Sequence, residues 1–410
     1  MNSVQFGHSM RDEWLHDPAI TYLNHGTVGA PPKRVLKVQQ QLRDEIERQP
    51  SHFMLREISP KGVGVWKRDR SRLREAADAV GEFLGAKGDD LVFVDNTTEG
   101  VNAILRSFDF REGDEVLVSD LAYGGVIHAA DYATRVRNAK VRIMEFPQSV
   151  KDSGEIVRRV DEAITPNTRI LILDHITSGT ALILPVAEIA DHCRKRGVAV
   201  LVDGAHAPGA IPVNIAALDV DWYTGNLHKW AWSPRSSAVL WAHPSRQQSL
   251  RPTVISWGLD QGFTQEFDWP GTRDPTPHLA APAGIAFMRE LGVDRVQRYN
   301  HELAWEAGTE LAGDMHSSLL APENMIGTMV TIPLPSRFGS TAEDAARLRD
   351  VLLFEHHIEV HVAARMDQVC VRLSPRFITK CRTCAALLRR YIPVSDSAWV
   401  CGPSWSPLHA

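Results

Sequence analysis

Two short segments carry residue types suited to covalent chemistry on an aldehyde. One is Asp203-Gly204-Ala205-His206, closing the apolar run Val198-Ala199-Val200-Leu201-Val202. The other is Gly225-Asn226-Leu227-His228-Lys229-Trp230, following Asp221-Trp222-Tyr223-Thr224. A lysine amine condenses with an aldehyde to a Schiff base. A carboxylate nearby can hold a ring nitrogen protonated, which makes the ring an electron sink. Asp203 ends a strand of apolar residues, where an unpaired carboxylate is costly and calls for a cationic or donor partner. Taken singly, each residue has an ordinary reading, a surface lysine beside a strand and a helix N-cap after one. The pair points to chemistry.

The elements that must position this pair are legible as apolar, β-branched runs with helix-like segments between them. The runs are Leu91-Val92-Phe93-Val94, Val116-Leu117-Val118, Val141-Arg142-Ile143-Met144, Ile170-Leu171-Ile172-Leu173, residues 198–202, and Ser237-Ala238-Val239-Leu240-Trp241. Runs apolar on both faces and joined by helices predict an α/β fold with a mainly parallel sheet covered on both sides. Residues 186–196 have helical periodicity, with Gly197 as a stop. Ligands in such sheets sit at the carboxyl ends of strands, where Asp203 and Lys229 both fall. After about residue 260 the character changes. Gly271-Thr272-Arg273-Asp274-Pro275 reads as a loop and residues 281–291 as a helix. Met329-Val330-Thr331-Ile332 and Val369-Cys370-Val371-Arg372-Leu373 then read as strands of a smaller α/β region. Asn96-Thr97-Thr98-Glu99-Gly100 opens a helix after the first run, and its amides and hydroxyls suit a phosphate, though Asn and Thr are also ordinary caps.

The Asp203 segment and Lys229, with His228 before it and Trp230 after it, resemble the lysine motif of pyridoxal 5'-phosphate (PLP) enzymes of fold type I. Within these the chain resembles the class V aminotransferase family and its isopenicillin N epimerase-like branch. The resemblance implies a PLP-dependent transferase fold, with a large domain holding a mostly parallel seven-stranded-type sheet and a smaller C-terminal α/β domain. The expected divisions are an N-terminal arm at 1–25, the large domain at 26–260, the small domain at 261–374 and an atypical tail at 375–410.

The same resemblance implies the rest of the site. Lys229 would hold the cofactor and carry the Cα proton, and Asp203 would hold the pyridine nitrogen. His206 would be a cofactor-side residue, or a hydrogen-bonded structural histidine. Thr97 and Thr98 would cradle the phosphate, with Asn226 adding a contact. Tyr123 would stack over the ring, or pack at a sheet edge, and Ser178 would meet the phenolic oxygen. Thr272 would reach the phosphate of a partner copy, which implies a homodimer with shared sites, and Arg273 would serve the interface or the substrate. Arg372 matches the arginine that grips a substrate α-carboxylate, a task suited to a bidentate guanidinium. As a plain strand residue it would lie at a surface edge. Asn24, His25 and Arg56, in Tyr22-Leu23-Asn24-His25-Gly26 and Ser51-His52-Phe53-Met54-Leu55-Arg56, would line the substrate entrance.

Composition excludes several other functions. A formal net charge of -5 gives no general attraction to nucleic acid or anionic lipid. No apolar run approaches the ~20 residues needed to span a bilayer, and no basic-then-apolar start suggests a secretory signal. Five scattered cysteines suggest no disulfide framework, so a reducing cytoplasm is expected. Cys381-Arg382-Thr383-Cys384 has metal-like spacing without a second pair, and no metal is expected.

The resemblance stops at Ser374. Relatives continue with a segment like Tyr-Asn-x-x-x-Asp-Val, whereas this chain reads Phe377-Ile378-Thr379-Lys380-Cys381-Arg382-Thr383-Cys384. Reading the third base of each codon with the next two lets this stretch encode Tyr-Asn-Glu-Met-Ser-Asp-Val. A frameshift near Pro375 is therefore expected, and the Trp- and Pro-containing tail forms no periodic element.

The branch implies racemisation or epimerisation at Cα of an amino-acid substrate. The alternatives are transamination, C–S lyase action on a cysteine derivative, and a non-catalytic or disabled homologue. Residues 355–365 contain no cysteine of the kind desulfurases use, and Cys370 lies in a strand, so persulfide transfer is not expected.

Overall fold

The computed structural model describes residues 5–58, 69–365 and 367–378. The Cys381/Cys384 pair and the tail from residue 379 onward lie outside the described residues.

Twelve strands are formed among the described residues. They are β1 (Thr21–Tyr22), β2 (Leu91–Val94), β3 (Glu115–Ser119), β4 (Lys140–Met144), β5 (Thr168–Asp174), β6 (Ala199–Asp203), β7 (Trp222–Asn226), β8 (Ala238–Ala242), β9 (Val330–Pro333), β10 (Ile358–Glu359), β11 (His361–Arg365) and β12 (Gln368–Leu373). A seven-stranded sheet runs in the order β2-β8-β7-β6-β5-β3-β4. Only β8 is antiparallel to its neighbours β2 and β7, and the remaining pairs are parallel. The expected mostly parallel sheet is present.

Alternation along each central strand sends residues to two separate cores. On β6, Val200 and Val202 enter one and Ala199 and Leu201 the other; on β5, Leu171 and Leu173 oppose Ile170 and Ile172. A sheet covered on both faces needs this pattern. β4 departs from it. As the edge strand it leaves Ile143 53% exposed, although its sequence resembles the buried runs.

The helices start where local chemistry dictates. Asn96 and Asp152 accept from the amides of Glu99 and Glu155, capping helices Thr97–Ser107 and Ser153–Ala163. Helix Val186–Lys195 ends just before Gly197, whose φ of 70° lets the chain turn back toward β6.

β11, β12 and β9 form an antiparallel sheet backed by helices Val293–Asp314 and Ala342–Phe354. The N-terminal segment is stitched into this region. β1 pairs parallel with β10, Leu23 N donates to Glu359 O at 2.8 Å, and Ser374 N donates to Leu23 O at 2.8 Å. That stitching carries residues 24–30 to the carboxyl edge of the large sheet, where β6 and β7 end.

Candidate active site

β6 and β7 deliver the two anchoring residues. Asp203 is the last residue of β6 and Asn226 the last of β7, three positions before Lys229. Lys229 Nζ lies 3.1 Å from His206 Nε2. Burial first, then the charge of Arg372, holds the lysine down to about 7, against the pull of Asp203 and Asp174. Burial, with Lys229 next, holds His206 well below the ordinary histidine range, so its imidazole is neutral. A lysine so depressed keeps a large neutral fraction near neutral pH, as a nucleophile and base must.

Asp203 is buried and accepts from Ala205 N at 2.9 Å. Desolvation pushes its carboxyl upward. Beside it, in direct cross-strand register, stands Asp174 at the end of β5. Asp174 is pushed well above the carboxylate range, mainly by burial and next by Asp203. Two buried carboxylates side by side disfavour double ionisation, and burial raises both. The wall behind them is close-packed. His175 Nδ1 lies 3.2 Å from Tyr223 Oη, and a Cβ on Gly204 would overlap that phenol.

Helix Thr97–Ser107 points its N-terminus into the same region. Thr97 is buried with its hydroxyl unpartnered, and Thr98 is half-buried. Asn226 gives its side-chain oxygen to the Thr97 amide at 3.0 Å. That removes one donor from an incoming anion and leaves the Asn226 amide nitrogen for the expected phosphate contact. Tyr123 caps helix Gly124–Arg135 from outside and is 51% exposed, so no sheet-edge packing claims its ring.

Arg372 is 2% exposed. It donates through Nη1 to Ser178 O at 2.6 Å and through Nη2 to Thr27 Oγ1 at 3.0 Å, while its Nε has no partner. No carboxylate pairs with it among the described residues, and burial lowers it to about 10. The surface-edge alternative is thus replaced by a buried cation that lacks an anion, an arrangement that favours capture of one. Ser178 meets Arg372 through its backbone and leaves its hydroxyl free among the described residues.

Two entrance expectations need correction, those for His25 and Asn24. His25 does not line an entrance. It is fully buried against the rings of His16 and Tyr22, because the Leu23–Ser374 stitching draws it inward. Asn24 is buried too, donating to Glu359 Oε1 at 2.7 Å and accepting from Thr27. Arg56 is exposed on the helical turn Phe53–Ile58, a position open to solvent as an entrance residue would be. Thr272 is exposed, and its neighbour Arg273 reaches Asp95 at 3.4 Å. Asp174 and Arg376 were missed. Arg376 is fully buried and donates to the backbone oxygens of Lys229 and Ala30.

These residues fit PLP on structural grounds. Three buried polar atoms (Thr97 Oγ1, His206 Nδ1 and Arg372 Nε) lack partners around a depressed lysine and a buried carboxylate. A phosphate would meet the free Thr97 hydroxyl, a ring nitrogen would pair with Asp203 and an aldehyde would condense with Lys229, which leaves Arg372 for a further anion. No group of side chains suited to a metal ion occurs among the described residues.

Residues 61–348 match the family model "Aminotransferase class-V". The isopenicillin N epimerase of Streptomyces clavuligerus is 30% identical over 387 residues, spanning 90% of this chain and 93% of that protein. A probable chloroplastic L-cysteine desulfhydrase of Arabidopsis thaliana is 30% identical over 372 residues, spanning 85% of this chain and 76% of that protein. In fold, the chain is similar to an apo cysteine desulfurase from Thermococcus onnurineus NA1. The TM-score is 0.77 at 19% identity, with 96% of this chain and 99% of that one covered.

Proposed function

Because this chain belongs to the class V aminotransferase family and pyridoxal 5'-phosphate is its cofactor, we propose that it removes the Cα proton of an amino-acid substrate, with Lys229 as base. The observation that carries this reading is the Lys229–His206 pair at 3.1 Å, beside a buried Arg372 with no carboxylate partner among the described residues. When bound, the cofactor ring accepts the electrons released at that carbon. Arg372 binds the substrate carboxylate and fixes which substituent faces the lysine. Asp203, at the end of β6, is the carboxylate that meets the ring nitrogen, whose positive charge offsets the burial that raises it. His206 steadies the amine and stays neutral, adding no second charge. Thr97, Thr98 and Asn226 hold the phosphate end, with Tyr123 over the ring and Ser178 at the phenolic oxygen.

The leading outcome is return of the proton to the opposite face, which is racemisation or epimerisation. The relative of which 93% is matched supports it by its name. A specific observation favours C–S elimination as the second reading. Tyr123, a candidate proton carrier for the other face, is 51% exposed, and its hydroxyl has no hydrogen-bond partner among the described residues. The built proton machinery then lies on the Lys229 side alone, which elimination tolerates. Persulfide transfer has less support. Among the described residues the thiols are Cys193 and Cys370, both buried and raised, to about 12 and about 11. The working form is proposed as a cytoplasmic homodimer with Thr272 at the partner's site; no helix among the described residues is long and apolar enough to cross a membrane.

The test is NMR of L-amino acids and cysteine conjugates incubated with the protein in deuterated water. Cα deuteration with inversion supports epimerisation, and release of a keto acid with a thiol supports elimination. No exchange at Cα, in a protein that binds the cofactor, sinks both and points to a disabled homologue.

A further inference from the structure

One face of the β9-β12-β11 sheet closes on the turn at residues 177–180. β12 brings Arg372 to that face, and its register partners are His361 on β11 and Thr331 on β9. Alternation along β11 puts Ala363 and Arg365 on the same face as His361. Thr331 Oγ1 donates to Gly179 O at 3.0 Å, and Arg372 Nη1 donates to Ser178 O at 2.6 Å. Arg365 lies against the same turn. A Cβ on Gly179 would stand 2.7 Å from its Nε and 3.0 Å from its Cζ. Two guanidiniums from neighbouring strands therefore converge on consecutive residues, whose Cα atoms are about 3.8 Å apart.

Neither guanidinium has an ion pair among the described residues, and the Nε of each is buried without a partner. Asp174 feels the charge of Arg365 but forms no ion pair with it among the described residues, and burial pushes its carboxyl upward. His361 is held down to about 3 by burial and by Arg372, and it adds a neutral imidazole to the face. Two like charges converging in a half-buried site are unfavourable alone and favourable around two anionic groups. The substrate α-carboxylate accounts for Arg372 and leaves Arg365.

We propose that Arg365 is a specificity residue that binds a second carboxylate on the substrate, so that acidic amino acids are preferred over neutral ones of the same size. The inference rests on the amino-acid reading of this site. A planar guanidinium suits a carboxylate, and hydrogen bonds to charged groups are the strong ones.

The experiment titrates the holoenzyme with two isosteric pairs, L-aspartate against L-asparagine and L-glutamate against L-glutamine, read by the visible absorbance of the bound cofactor. At least one acid should bind at least about tenfold more tightly than its amide. That preference should vanish in Arg365→Gln, with the acids losing far more affinity than the amides. Arg365→Lys, which keeps the charge, should retain part of it. Equal binding of acids and amides, or a preference that survives Arg365→Gln, overturns the proposal. If neither acids nor amides alter the band, the amino-acid reading itself fails, and this inference with it.

Discussion

Arg376 donates to the backbone carbonyl of Lys229 through Nη2 and to that of Ala30 through Nη1, the latter at 2.9 Å. One buried guanidinium, held down to about 9 by desolvation, joins the lysine loop to the N-terminal segment. Its Cζ lies 5.6 Å from the Trp230 ring centroid. The arginine fixes the peptide from which the reactive amine projects.

Removing it strands two carbonyls in a buried setting. Arg376→Gln should lower stability by about 1–3 kcal/mol for each carbonyl left unpaired, read as a shifted urea midpoint, and should weaken PLP retention. Arg376→Lys, keeping one donor position, should lose less. A glutamine variant as stable as the parent, with equal cofactor retention, would remove this positioning role.

The depressed lysine predicts a pH dependence with a definite sign. Below about 7 the Lys229 amine is charged and cannot attack an aldehyde; above it the amine is neutral. Cofactor capture by the cofactor-free protein, followed by stopped-flow absorbance, should accelerate with rising pH and level off with a midpoint near 7. A midpoint close to the ordinary lysine value of 10.5 would show that burial does not depress this amine.

The paired carboxylates should respond unequally. Asp203→Asn cannot hold the ring nitrogen protonated, and turnover should fall by about 10²–10⁴ while the cofactor remains bound. Asp174→Asn leaves the ring nitrogen's own partner in place, so its turnover should stay within about tenfold of the parent. Equal losses in the two variants would mean that the charge is not localised on Asp203.

Gly29 has φ 63°, and a Cβ there would overlap the His228 carbonyl and stand 2.8 Å from Lys229 Cα. Gly29→Ala combines left-handed strain of about 1–2 kcal/mol with displacement of the lysine peptide. It should lower the melting temperature and cofactor occupancy together. Parent-like occupancy in this variant would show that the N-terminal segment does not set the lysine's position.

What could be read in the chain followed the range of its interactions. Asp203 and Lys229 were legible because each follows a local apolar run and the motif around them is compact. Asp174 escaped because the expected strand stopped at Leu173, one residue short of the register position opposite Asp203. Arg376 escaped because it lies just beyond Ser374, where the family resemblance ends. The burial of His25 depends on hydrogen bonds to Ser374 and so has no local signal. β4 reads as a buried run, and only its place at the sheet edge exposes Ile143.

Leu23 is held between Glu359 and Ser374, and Arg376 bridges the carbonyls of Lys229 and Ala30. During synthesis the lysine leaves the ribosome well before those later partners do. A growing chain therefore carries the Lys229 amine before residues 359, 374 and 376, which hold its surroundings, have been made.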